Sequence, residues 1–260
     1  MKALIGQADI LFITLDTLRF DAAQQAWAEG RLKTLEPHLS PFGWEARHTP
    51  GNFTYAAHHA FFAGFLPTPP GRGPHPRLFA AEFAGSTSTV ADTFVFPEAT
   101  LPEALAARDY HTICVGGTGF FNQQNQLARV LPGLFLEAHW RPELGVACRE
   151  SADNQVEQAI RSLDGAGSQR VFLFLNVSAI HQPNWFYGHG PGPDTFESHI
   201  AALVAVDRAL APLFQRFKHR APTFAVVCSD HGTAYGEDGY TGHRLCHEVV
   251  WNVPYAEFML

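Results

Sequence analysis

The stretch VVCSDHGTAYGEDGYTGH, residues 226–243, carries three Asp/Glu and two His residues directly after a run of β-forming residues. A strand ending this way delivers Asp230 and His231 together, and the glycine-rich excursion behind it returns at His243. Two other apolar runs end in a similar manner: DILFITL stops at Asp16, and VFLFLNV is followed by His181 in NVSAIHQP. Carboxylate oxygens and imidazole nitrogens suit a divalent ion such as Zn²⁺ or Mn²⁺, so gathering them would build a metal site from residues far apart in sequence. Taken singly, each has a plainer reading. Asp16 can cap a following helix, Asp230-His231 can form an Asx-type turn around a satisfied histidine, and His181 and His243 can be structural.

The nucleophile that such a site needs can come from TPGNFTYAAHHAFFAGFLP, residues 49–67. Thr54 precedes a segment of helical composition and is expected at its N-cap or first position. Oriented amides there favour an anion, including a phosphate oxygen or a developing alkoxide. Alone, Thr54 reads as an ordinary cap, and Phe61, Phe62 and Phe65 on the same segment read as core.

These groups must be positioned by the elements that carry them. The runs at 9–15, 110–116, 171–177 and 223–229 are short, continuous and β-rich, as strands covered on both faces of a parallel sheet are. Helical patterns lie between them: TLPEALAAR, with Thr100 and Glu103 forming a capping box, then residues 151–163 and 195–217, the last expected to kink or divide at Pro212. The alternation predicts an α/β fold, a doubly wound, mainly parallel sheet with helices on both faces, in one compact domain over 1–260. In such sheets ligands sit beyond the carboxyl ends of the strands, where Asp16, His181, Asp230 and His231 fall. The Pro- and Gly-rich stretch 66–99 reads as a surface loop or small cap.

Composition narrows the substrate. The chain has 260 residues, 46% of them hydrophobic, and a formal charge of −7 with no Lys/Arg block. That argues against nucleic acid or an anionic membrane as partner and for a small molecule. Four widely spaced cysteines without a C-x-x-C suggest reduced thiols and a cytoplasmic location. The apolar start is interrupted by Gln7 and Asp9 and reads as a strand rather than a leader, and no run approaches the ~18 apolar residues of a membrane span. CVGGTGFF lacks the third glycine of a dinucleotide loop, so close strand-to-helix packing is expected there. QPNWFYGHGPGP (182–193) reads as a pocket cover or a surface loop anchored by Trp185 and Phe186.

The segments ILFITLDTLRFD, FTYAAHHAFFAGFLP, TLPEALAARDYHTICVGG, VFLFLNVSAIHQP, ALVAVDRALAPLF and VVCSDHGTAYGEDGYTGH occur in the order and approximate spacing of sulfatase-like hydrolases of the alkaline phosphatase superfamily. The chain most resembles a small, soluble bacterial branch of them. The resemblance implies an alkaline-phosphatase-like fold and a divalent metal (Zn, Mn, Mg or Ca) held by Asp16, Asp230 and His231, with Thr54 as nucleophile and fourth ligand. His58 stands where the sulfatase C-x-P-x-R motif has arginine, and His181 and His243 match positions that hold substrate oxygens or the leaving group. No C-x-P-x-R or S-x-P-x-R occurs and no cysteine lies near Thr54, so formylglycine chemistry is not expected. The D-x-x-x-H pair of two-metal members is absent because position 177 is valine, which leaves His181, His243 and His247 as groups that could assemble a second site with water. The implied activity is metal-dependent hydrolysis or transfer of phosphate mono- or diesters through a phospho-threonine. A phosphomutase and a non-catalytic metal-binding relative are the alternatives.

Overall fold

The structure is a computed structural model that describes residues 2–64, 77–79, 93–95, 98–188 and 190–260. Most of the 66–99 stretch expected to form a loop or cap, and Phe65, lie outside the described residues. In chain order the strands are β1 (Asp9–Leu15), β2 (Glu45–His48), β3 (Arg77–Phe79), β4 (Thr93–Val95), β5 (His111–Val115), β6 (Glu137–His139) and β7 (Val171–Val177). They are followed by β8 (Thr223–Cys228), β9 (Ala234–Tyr235), β10 (Thr241–Gly242) and β11 (Asn252–Met259). The helices are α1 (Phe20–Ala28), α2 (Thr54–Ala63), α3 (Leu101–Ala106), α4 (Ser151–Gly165), α5 (Phe196–Arg220) and α6 (Glu248–Trp251).

Seven strands form the central sheet in the order β2-β11-β8-β1-β7-β5-β6, with β3/β4 and β9/β10 as separate pairs. The five strands from β8 to β6 run parallel, and β11 and β2 add an antiparallel edge. The apolar runs became central strands because both of their faces are covered. Every residue of β7 is buried, as are six of the seven in β1. On one face Leu11, Ile13 and Leu15 meet α1, α4 and α5 through Ala22, Val156, Leu203 and Leu210. On the other, Ile10, Phe172, Phe174 and Cys114 meet α2 and α3 through Phe62 and Leu105.

Strand periodicity then decides where the polar residues go. Alternate side chains share a face, so Thr14, Asn176 and Cys228 continue the rows facing α2. Register places Thr14 opposite both Asn176 and Cys228. Two residues further on, Asp16 and Asp230 leave neighbouring strands at the same level on that face.

Helix signals were followed closely. Thr100 caps α3, its N–H and hydroxyl donating to Glu103 Oε2 at 2.9 and 2.6 Å. α5 is not divided at Pro212 but continues through it as one helix. A proline inside a helix costs roughly 3 kcal/mol, and here the buried row including Leu203, Val206, Leu210, Leu213, Phe214 and Phe217 offsets it. CVGGTGFF packs as read: a β-carbon on Gly117 would lie 2.5 Å from the Asn176 carbonyl oxygen.

Candidate metal centre

Asp16, Asp230 and His231 are wholly buried, and each offers a ligand atom within 4.8 Å of the others. His231 Nε2 lies 3.4 Å from Asp230 Oδ2 and 3.9 Å from Asp16 Oδ1. In both carboxylates one oxygen is anchored and the other is aimed inward. Asp16 Oδ2 accepts from Asn176 Nδ2 at 3.0 Å, and Asp230 Oδ1 accepts from the Thr17 and His231 amides at 3.1 and 3.0 Å. Asp16 Oδ1 and Asp230 Oδ2 have no hydrogen-bond partner among the described residues. Buried carboxylate oxygens without partners are costly. A divalent ion at their meeting point removes that cost, so the residues fit a metal.

The tautomer of His231 agrees. Its Nδ1 lies 2.9 Å from the Gly232 carbonyl, which can only accept, so Nδ1 carries the proton and Nε2 presents a lone pair to the carboxylates. The backbone behind it is held close: Gly232 N–H donates to the Val250 carbonyl at 2.7 Å, and a β-carbon on Gly232 would lie 1.9 Å from the Val249 carbonyl oxygen. Glycine is required there by space alone.

Thr54 is the first residue of α2, with Phe53 as N-cap. It is 3% exposed, and its Oγ1 lies 3.4 Å from His231 Nε2. The four residues assigned to one ion by resemblance therefore converge, although they come from β1, α2 and the end of β8. His243 and His181 stand beside them, with ring centroids of His231 and His243 4.5 Å apart and of His181 and His243 5.7 Å apart. Both are partly exposed, and His243 Nδ1 has no partner among the described residues. Their neighbours Gln182 and Gly242 line a cleft of about 850 Å³ together with Asp194, Tyr235 and Glu237.

Two histidines are placed differently. His58 is 0% exposed; its Nδ1–H donates to the Thr54 carbonyl at 2.7 Å and its Nε2 accepts from the Thr14 hydroxyl at 2.9 Å. Its ring packs edge-on against Phe61, Phe121 and Phe174. The expected substrate contact is therefore corrected: both nitrogens are used inside the protein, and His58 pins the first turn of α2 to β1. His247 caps α6, its Nδ1 accepting from the Val249 amide at 3.2 Å and its Nε2 lying 3.2 Å from Asp238 Oδ2. Those bonds occupy both ring nitrogens outside the His181/His243 pair. In the 182–193 loop Trp185 and Phe186 meet edge-on at 5.5 Å, Phe186 partly buried and Trp185 37% exposed.

Residues the sequence reading passed over complete the support. Asn176 donates to Asp16 while its Oδ1 accepts from the amides of Gly117 and Thr118 and from the Thr118 hydroxyl. A lone amide side chain in the run VFLFLNV was its signal. Thr49 donates its hydroxyl to the Asp230 carbonyl, fixing that turn from the other side. Arg19, buried over the Phe196 ring, pairs with Asp21 and Glu237 and ties the loop after β8 to α1.

Burial sets the electrostatics. It raises both carboxyl pKa values, and the Asp230 charge raises that of Asp16 further. Burial lowers His231, and it lowers His58 and His243 to about 3, the latter also through the neighbouring His231 and His181. Without a cation, burial makes the site hold its carboxyl protons to higher pH than usual and keeps these imidazoles neutral, the direction that a bound cation would oppose at the carboxylates.

Known structures share this fold at low identity. The soluble domain of lipooligosaccharide phosphoethanolamine transferase A from Neisseria meningitidis is 13% identical at a TM-score of 0.63, over 97% of this chain and 76% of that one. Lipoteichoic acid synthase LtaP from Listeria monocytogenes is 13% identical at 0.62, over 98% and 66%. The C-terminal periplasmic domain of EcEptC from Escherichia coli, in complex with Zn, is 13% identical at 0.64, over 97% and 73%. No curated protein matches the sequence. The Sulfatase family model matches residues 9–255, and with nearly the whole chain covered, this protein belongs to the Sulfatase family, in the alkaline phosphatase superfamily.

Proposed function

We propose that the protein is a metal-dependent phosphoester hydrolase or transferase that works through a covalent phospho-threonine on Thr54. The observation that carries this is the convergence of Asp16, Asp230 and His231 on one point, with Thr54 Oγ1 3.4 Å from His231 Nε2. A divalent ion held by these four residues would act as a Lewis acid, lowering the pKa of the Thr54 hydroxyl and screening charge on the substrate oxygens. Thr54 Oγ forms a bond to phosphorus as the bond to the leaving oxygen breaks. His181, whose Nδ1–H is held on the Gln182 carbonyl at 2.6 Å, leaves Nε2 as an acceptor that takes up the proton released by the Thr54 hydroxyl and returns it to that leaving oxygen. His243, held neutral, hydrogen-bonds a substrate oxygen. Water or a second alcohol then opens the phospho-threonine, and hydrolysis and transfer differ only in that acceptor.

Phosphorus is favoured over sulfur by the nucleophile. A sulfated threonine has no second hydroxyl through which to eject sulfate, and none of the four cysteines lies in the nucleophile segment. The phosphoethanolamine transferase among the similar structures, and the EcEptC domain in complex with Zn, support the reading. The test is a screen of zinc- and manganese-loaded protein on phosphomonoesters, phosphodiesters and sulfate esters, with Thr54→Ala as control. Phosphoesters should turn over far faster than sulfate esters, and only with Thr54 present; sustained sulfate-ester turnover at a comparable rate would reject the assignment.

A further inference from the structure

Two buried carboxylates and one divalent ion sum to no net charge, so a phosphoester entering this site brings negative charge that the assigned residues do not balance. His58 is enclosed in the protein, and Arg19 is committed to Asp21 and Glu237. Arg244, directly after His243, is an exposed arginine that pairs with no carboxylate among the described residues. Its guanidinium carbon lies 5.8 Å from the ring centroid of Phe53, the residue before Thr54.

The backbone adds an independent observation. Arg244 has φ 69, a left-handed conformation that favours glycine or asparagine, and it is held there by its N–H on the Asn52 carbonyl at 2.9 Å. A long cation in a conformation that its β-carbon disfavours is the kind of strain found at functional positions. The conformation fixes where the side chain starts, next to the segment 52–54 that carries the nucleophile.

We infer that Arg244 is a substrate-binding residue whose guanidinium takes non-bridging oxygens of a tetrahedral oxyanion seated on Thr54 and His243. Arginine suits the task because its planar fork can hold two oxygens at once and stays charged at any working pH. The inference rests on the phosphoester reading and adds to it the cation that the metal ligands lack.

The experiment is calorimetric titration of inorganic phosphate into zinc-loaded protein, with zinc content and melting temperature measured on the same samples. Arg244→Ala should keep one zinc per chain and the wild-type melting temperature, yet bind phosphate roughly 10-fold or more weakly, the scale of a lost charge-assisted contact. Arg244→Lys should recover part of the affinity, as a residue that merely covers Phe53 would not. Arg244→Asn, which tolerates the left-handed backbone, gives the same reading should the alanine variant fold poorly. Unchanged phosphate affinity in the Ala and Asn variants would overturn the inference while leaving the metal assignment intact. Loss of zinc in either would also overturn it, by moving Arg244 into the construction of the site. A wild-type protein that loads zinc but takes no phosphate would reject the phosphoester reading itself, and this inference with it.

Discussion

In the proposed reaction Thr54 combines two roles that substitution can separate, because its oxygen would serve the chemistry while its place at the start of α2 serves the fold. Thr54→Ala should lower phosphoester turnover by orders of magnitude while costing at most about 1 kcal/mol of stability, since its side-chain hydrogen bond among the described residues is long. Thr54→Ser should keep part of the activity because the attacking oxygen survives. Steady-state kinetics beside thermal melts decide this, and wild-type turnover by the alanine variant would return Thr54 to a purely structural role. His243→Ala should slow turnover and leave the metal bound, which elemental analysis of the same sample checks. At this scale the meeting of Asp16, Asp230, His231 and Thr54 was legible, because each sits at a strand end or helix start that sequence pattern locates. His58 was misread: its spacing from Thr54 is one helical turn, and nothing in spacing says that this turn faces a cluster of phenylalanines rather than solvent. Arg244 was unread because its backbone conformation has no signature in the sequence.

At the scale of elements, β1, β7 and β8 act as a jig. Their register sets Thr14, Asn176 and Cys228 side by side, and the next outward-pointing positions on β1 and β8 become Asp16 and Asp230. Asn176 holds this together from β7. Asn176→Ala should cost about 2–4 kcal/mol by leaving the Gly117 and Thr118 amides buried without an acceptor. It should also weaken metal binding by releasing Asp16; a denaturation curve and a zinc titration that both match wild type would refute the role. Gly232→Ala should cost roughly 1–3 kcal/mol or more, since its β-carbon has no room beside Val249, and thermal unfolding measures it. The strands and capped helices were legible because burial on both faces and capping boxes leave direct marks in the sequence. The continuity of α5 was not, because proline's local cost is outweighed by packing that only the assembled fold supplies.

For the molecule as a whole, the site couples stability to pH and metal. Burial raises Asp16 from an ordinary value of 3.8 to about 6 and Asp230 to about 7 in the metal-free chain. The folded form thus binds these protons more tightly than the unfolded form. Stability from the pair is complete below pH 3.8 and is lost as pH rises through about 6 to 7. A bound ion needs both carboxylates ionised, so its affinity rises over the same range. The gap in melting temperature between zinc-loaded and chelator-treated protein should therefore widen as pH rises across this window, and shrink in Asp230→Asn. A gap independent of pH would contradict the linkage.

The central claim is that residues from β1, α2 and the end of β8 form one metal centre with the nucleophile in its coordination sphere. Anomalous X-ray diffraction from crystals of the zinc-loaded protein tests it most directly. A single peak about 2.0–2.2 Å from Asp16 Oδ1, Asp230 Oδ2, His231 Nε2 and Thr54 Oγ1 is the predicted result, whereas zinc bound elsewhere, or bound by these acids with Thr54 turned away, would contradict it.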